Sequence, residues 1–214
     1  MKRIALAAAG LAAVTALALT GCSGTSRGGD ETTGTDAATA GFAADATIGV
    51  ALPDKTSENW VLAGGLFEDG LKAAGFTGDV QYAPASNTVA EQQNQIAAMV
   101  TNGAKVIVIG AKDGKQLGTQ LQQAADAGVK IIAYDRLIEN TPNVDYYVAF
   151  DNYKVGELQG QALLDGLEAR SGHAAPWNIE LFSGSPDDAN SAVFFNGAMS
   201  VLQPKIDDGT LVVK

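Results

Sequence analysis

The feature that most narrows the folds open to this chain is a rhythm of short apolar runs, each followed by a stretch of helical periodicity. The run VIVI at 106–109 has no polar alternation, as expected of a strand covered on both faces. Further runs at 47–52, 79–83, 129–134 and 144–150 read as strands, with helices expected over 60–74, 90–102 and 117–127. Ile96, Met99 and Val100 share one face of the second helix, and Gly103 and Gly128 stand where helices should stop. This order predicts an α/β fold with a parallel sheet and right-handed crossovers. Beyond Phe150 the rhythm resumes, with helices over 153–167 and 188–202 and strands over 178–182 and 211–213. Two lobes are therefore expected, 46–150 and 151–214. The second reads as incomplete, because its last strand has no helix to cover it, and the sequence reads as a C-terminally truncated fragment.

The first 22 residues read as an export leader. Lys2 and Arg3 precede an Ala/Leu-rich run over 4–19, which is short for a membrane span of about 20 apolar residues. The tetrapeptide LTGC at 19–22 resembles the bacterial lipobox, which implies that Cys22 is lipidated and becomes the mature N-terminus. Cys22 is the only cysteine, so no intramolecular disulfide can form. Residues 23–45 are small and polar, cannot bury enough surface to offset their ordering entropy, and read as a flexible tether.

Charge and motif content narrow the function. The chain carries 14 basic and 24 acidic residues, a net charge of −10, which argues against nucleic acid as a partner. One Cys and one His, His173, rule out a Cys/His zinc cluster, and His173 in the loop at 171–176 reads as exposed and inert. There is no phosphate loop, no G-x-G-x-x-G after the first strand and no G-x-S-x-G elbow. No metal, cofactor or catalytic pair is expected.

Ligand-binding groups collect where strands end. In a parallel sheet, ligands sit beyond the carboxyl ends of the strands, which is where Asp135 and Arg136 follow the run at 129–134. An ionised Asp only accepts hydrogen bonds and an Arg only donates them, a pair suited to a ligand dense in hydroxyls. The competing reading is a salt bridge of these two with each other. The loop PDKTSENW at 53–60 ends in Trp60, either a core anchor or a flat apolar face for a sugar ring. The loop SGSPDDAN at 183–190 offers Asp187 or Asp188 as a helix cap and Asn190 as an amide with donors and an acceptor. Phe194 and Phe195 read as core.

Several stretches resemble the type I periplasmic solute-binding proteins, in their xylose-binding and multiple-sugar-binding branch. They are SENW at 57–60, YDRLI at 134–138, FDN at 150–152 with VGE at 155–157, GSPDDAN at 184–190 and GAMSVL at 197–202. The resemblance implies two Rossmann-like lobes joined by three hinge strands and closing on a monosaccharide. By position it implies that Trp60 stacks on the pyranose, that Asp135, Arg136 and Asn190 bind its hydroxyls, and that Phe150, Asp151 and Asn152 form the first hinge. Asn59 stands where that family usually carries a basic residue, which bears on sugar preference. The expectation is a monomeric, lipid-anchored extracytoplasmic receptor that passes an aldose such as xylose, glucose or galactose to an ABC importer permease. A chemosensory receptor is the alternative, and a sugar-modifying enzyme a third. A transcription regulator of the same fold is ruled out by the leader and by the missing DNA-binding helices.

Overall fold

A computed structural model describes residues 41–214, apart from residues 44, 86–88 and 171. The leader, Cys22 and most of the tether lie outside the described residues. Five parallel strands form the first sheet: β1 (Thr47–Leu52), β2 (Thr77–Tyr82), β3 (Val106–Ile109), β4 (Lys130–Tyr134) and β5 (Tyr146–Val148), in the order β2-β1-β3-β4-β5. Helices α1 (Glu58–Ala73), α2 (Val89–Thr101) and α3 (Gly118–Asp126) supply the crossovers between the first four.

The period-2 alternation of the strands sorts their side chains onto two faces. Ala51, Ile107 and Ile109 pack with Ile96 and Met99 of α2 and Leu121 of α3. Val50, Leu52, Val106 and Val108 face the other way, against Trp60, Phe67 and Leu71 of α1. Gly75, Gly103 and Gly128 adopt positive φ directly after the three helices, releasing the chain into the next strand. Because β1 has β2 on one side and β3 on the other, the chain reverses its winding there. The crevice beyond the carboxyl ends of β1 and β3 is where this class of sheet places ligands.

The second lobe holds α4 (Asn152–Glu168), β6 (Trp177–Ile179), α5 (Ala189–Asp207) and β7 (Leu211–Val213), with β6 and β7 parallel. Its core is Leu164, Ile179, Leu202 and Leu211. Helices α4 and α5 meet backbone to backbone. A Cβ on Gly156 would collide with the Phe194 carbonyl, and one on Gly197 with the Tyr153 carbonyl.

The expected α/β fold with parallel sheets and two lobes is present, with local differences. Helix α1 begins at Glu58, two residues earlier than expected, which puts Trp60 in its first turn. The fifth strand is three residues long rather than seven, because its ladder to β4 covers only Tyr146–Val148, where the Val148 carbonyl takes the Asp135 N–H at 2.8 Å. Strand β6 starts at Trp177 and stops at Ile179, since its ladder to β7 covers only three residue pairs, and Phe182 is left 86% exposed. Helix α5 runs past the expected end at Leu202 and through Pro204 to Asp207. Phe194 and Phe195 are half-buried rather than core, because they line an open groove beside β6. His173 is exposed, as expected.

Candidate ligand-binding site

Loops leaving β1, β3 and β4 converge on one cleft. The first places Trp60, whose ring lies edge-on to Tyr134 with centroids 6.3 Å apart and planes at 70°. The indole can sit this deep because Gly110, just past β3, presents no Cβ to it: an added Cβ would lie 2.9 Å from the ring. Trp60 is thus half-buried against the core, as the anchor reading has it, and is also part of the cleft wall.

Buried Gln92 of α2 aligns the strand ends beneath. Its Nε2 donates to the carbonyl oxygens of Gly110 at 2.8 Å and Ala51 at 3.4 Å, and its Oε1 accepts from the Lys112 N–H at 2.8 Å. The segment held in this way in turn holds Arg136, whose NH1 nitrogen donates to the carbonyl oxygens of Ala111 at 3.1 Å and Lys112 at 3.5 Å. The guanidinium carbon lies 5.5 Å from the Trp60 ring centre, within cation–π range.

Asp135 sits at φ 62, in the left-handed region that Asp and Asn tolerate better than most residues. Its N–H donates to the Val148 carbonyl at 2.8 Å, and its own carbonyl accepts from the Tyr147 hydroxyl at 3.1 Å. Burial raises the carboxyl pKa above the ordinary value, the neighbouring Asp188 raises it further, and Arg136 partly offsets both.

The expected alternative, a salt bridge between Asp135 and Arg136, is not formed. Each residue instead turns to the second lobe. Asn190 Nδ2 donates to the Asp135 carbonyl at 3.1 Å and to its Oδ2 at 3.3 Å. Arg136 Nε stands 3.0 Å from Asp188 Oδ2, an ion pair in which the N–H is not aimed along the hydrogen-bond axis. Asp188 is also the cap of α5, its Oδ1 accepting the Asn190 N–H at 2.9 Å.

The resulting cavity of about 240 Å³ is lined from the first lobe by Ser57, Asn59, Trp60, Ala63, Tyr134, Asp135 and Arg136, and from the second by Asp188. Asn190 reaches it only through Asp135. Phe150 and Asp151 lie between β5 and α4, and Asn152 opens α4: Phe150 is exposed, Asp151 caps α4 by accepting the Lys154 N–H at 3.0 Å, and Asn152 is buried. Sequence reasoning missed two residues. Asp188 was read only as a cap, and Gln92 looks like any polar residue of an amphipathic helix, with nothing in the sequence to mark its burial.

The cleft brings an indole, a carboxylate and a guanidinium together at strand ends, with Asp188 of the second lobe opposite, donors and acceptors of the kind a small polar ligand can engage. The chain belongs to the family of the periplasmic binding protein domain, whose family model matches residues 48–214. It is 53% identical over 174 residues to the multiple sugar-binding periplasmic receptor ChvE of Rhizobium radiobacter, covering 81% of this chain and 48% of that protein. It is 36% identical over 174 residues to the D-xylose-binding periplasmic protein of Escherichia coli K12, covering 81% and 50%. Among solved structures, an ABC transporter solute-binding protein from Clostridium phytofermentans with bound β-D-glucose superposes with a TM-score of 0.73 at 46% identity. That match covers 78% of this chain and 51% of the other. The chain thus spans about half the length of the curated relatives it matches.

Proposed function

We propose that the full gene product is a lipid-anchored extracytoplasmic receptor that binds an aldose such as glucose, xylose or galactose and delivers it to an ABC-type importer. The observation that carries this reading is the placement of Trp60, Asp135 and Arg136 on one cavity wall, facing α5 of the second lobe. A pyranose has an apolar face, which suits the indole, and a rim of hydroxyls. Each hydroxyl can donate to Asp135 and accept from Arg136. The names of the relatives point the same way: one binds multiple sugars, one D-xylose, and one structure holds β-D-glucose.

The mechanism is closure of two lobes about the segment at 150–152, with the ligand adding contacts that exist only in the closed form. Asn190 joins from the second lobe by exchanging its bond to Asp135 for one to a hydroxyl. Asn59, exposed at the rim, tunes sugar preference by hydrogen bonding rather than by charge. This is binding without turnover. Calorimetric titration of the gene product with glucose, galactose, xylose and ribose tests the reading. Saturable heat with at least one aldose supports it, and silence with all four overturns it.

The anchor is the Cys22 thiol, with the tether giving the lobes reach from the membrane. No helix among the described residues is long and apolar enough to cross a membrane. Cys22→Ser should release the protein from the membrane fraction or stall its processing. A mutant still membrane-bound after leader cleavage would remove the anchor from the proposal.

A further inference from the structure

Asp188 belongs to the second lobe, yet its carboxylate contacts both lobes, one through each oxygen. Oδ1 caps its own helix, α5, through the Asn190 N–H at 2.9 Å, while Oδ2 lies 3.0 Å from Arg136 Nε of the first lobe. Both side chains are mostly buried, with 19% and 21% of their surfaces exposed, so the pair is less screened than a surface ion pair. The rest of the guanidinium is fixed from the first lobe by the Ala111 and Lys112 carbonyls. Asp188 is also the one second-lobe residue lining the cavity.

We propose that Asp188 is a positioning residue that sets the aim of Arg136 and, standing on the opposite lobe, couples that aim to closure before any ligand arrives. The argument is one of geometry and charge. With NH1 spent on backbone carbonyls and Nε facing Asp188, the NH2 nitrogen is the donor left for a ligand. The Asp188 constraint exists only while the lobes are together. When they part, NH1 keeps its bonds to the Ala111 and Lys112 carbonyls, but Arg136 loses its carboxylate partner at Nε. A carboxylate on the other lobe thus makes the full set of constraints on the guanidinium a property of the closed form. It also biases the empty protein toward that form. Since apparent affinity falls with the fraction of molecules in the binding-competent state, this bias is felt directly in Kd.

Helix capping alone does not require the charge. Asn caps as well as Asp, and Ser nearly so. Asp188→Asn therefore keeps the cap and a hydrogen-bonding oxygen but removes the ion pair. Asp188→Ser keeps the cap but cannot reach Arg136. The two variants separate the capping role from the proposed one without unfolding α5, which thermal melts and circular dichroism would verify.

The first readout needs no sugar. In the full gene product with Cys22→Ser, spin labels on cysteines placed at exposed Asn102 of the first lobe and Arg170 of the second report the separation of the lobes. The expected result is a dominant short distance in the parent protein and a broader, longer distribution in both Asp188 variants. Parent protein in 1 M NaCl should move part of the way toward the variants. Distributions that superpose with the parent would overturn the proposal and leave Asp188 a helix cap.

The second readout rests on the sugar-binding reading. Glucose affinity should fall by about 5- to 20-fold in Asp188→Asn, with a faster off-rate. A distribution that broadens in protein that binds no sugar would uphold the coupling while removing the sugar. An affinity and off-rate matching the parent would overturn the positioning role.

Discussion

Asn190 of the second lobe donates its side-chain amide to both the carbonyl and the carboxylate of Asp135, a residue 55 positions earlier in the other lobe. The bond crosses the cleft and satisfies a side chain that is only 5% exposed. It holds the half-buried Asp135 carboxylate in a site that already contains a second one, Asp188. The expected consequence is a stability cost at neutral pH. Burial, then the charge of Asp188, raises the Asp135 pKa above its ordinary value. A group with a raised folded-state pKa contributes its stability below the ordinary carboxylate range and loses it as pH rises through the raised value. At pH 7 the ionised carboxylate is thus a burden on stability.

Asp135→Asn removes the burden, retains an oxygen for Asn190 and keeps a residue that tolerates φ 62. Its melting temperature at pH 7 should exceed the parent's by roughly 1–4 °C, the scale of a single relieved functional position. The gain should shrink toward pH 3, while aldose affinity drops. Melts at both pH values check this, and a lower melting temperature at pH 7 would sink it.

Gln92 supports the site from below. Replacing it with Met keeps the volume but strips the buried Gly110 carbonyl and the part-buried Lys112 N–H of their partner. The expected loss is about 2–4 kcal/mol, since each buried unsatisfied group costs about 1–3 kcal/mol. Denaturant unfolding of Gln92→Met measures it. A loss of under about 0.5 kcal/mol would mean that water reaches those groups.

The sheet was legible because its signal is local. The bounds of β1, β3 and β7 follow from apolar runs that end at Pro53, Gly110 and Lys214. Asp135 and Arg136 were legible for the same reason, since a strand end is a place in the sequence. What the sequence does not display is which partner each side chain takes. Asp135 and Arg136 are adjacent, which favours reading them as a pair, yet the left-handed turn at Asp135 separates their side chains. Their partners lie more than fifty residues away on α5. The second function of Asp188 depends on that long-range geometry, and so does the burial of Gln92.

Helix packing in the second lobe offers a paired test. Gly197 has the Tyr153 carbonyl against it, whereas Gly166, in α4, has open space where a Cβ would go. Gly197→Ala should destabilise by about 1–3 kcal/mol, the usual cost of overpacking a tight contact. Gly166→Ala should be stabilising by about 0.5–1 kcal/mol, because Ala holds a helix better than Gly. Chemical denaturation of the two single variants gives both values, and equal effects would contradict the backbone-to-backbone packing of α4 on α5.

Trp60 should report the ligand by fluorescence. Its ring is held by Tyr134 at one edge and sits 5.5 Å from the Arg136 guanidinium, so any ligand that engages Arg136 or displaces water from the cavity alters its surroundings. Trp177, by contrast, is tied to the second lobe through its Nε1 bond to the His173 carbonyl at 3.1 Å and lies outside the cavity wall. Trp177→Phe should therefore keep the aldose-induced change in emission, and Trp60→Phe should lose most of it. Affinity in Trp60→Phe should fall by only about 0.5–1.5 kcal/mol, since Phe retains a smaller stacking face over the same apolar floor. Titrations of both variants with the best-bound aldose decide the matter. A signal that survives Trp60→Phe and vanishes with Trp177→Phe would place the ligand on the second lobe, away from Asp135 and Arg136.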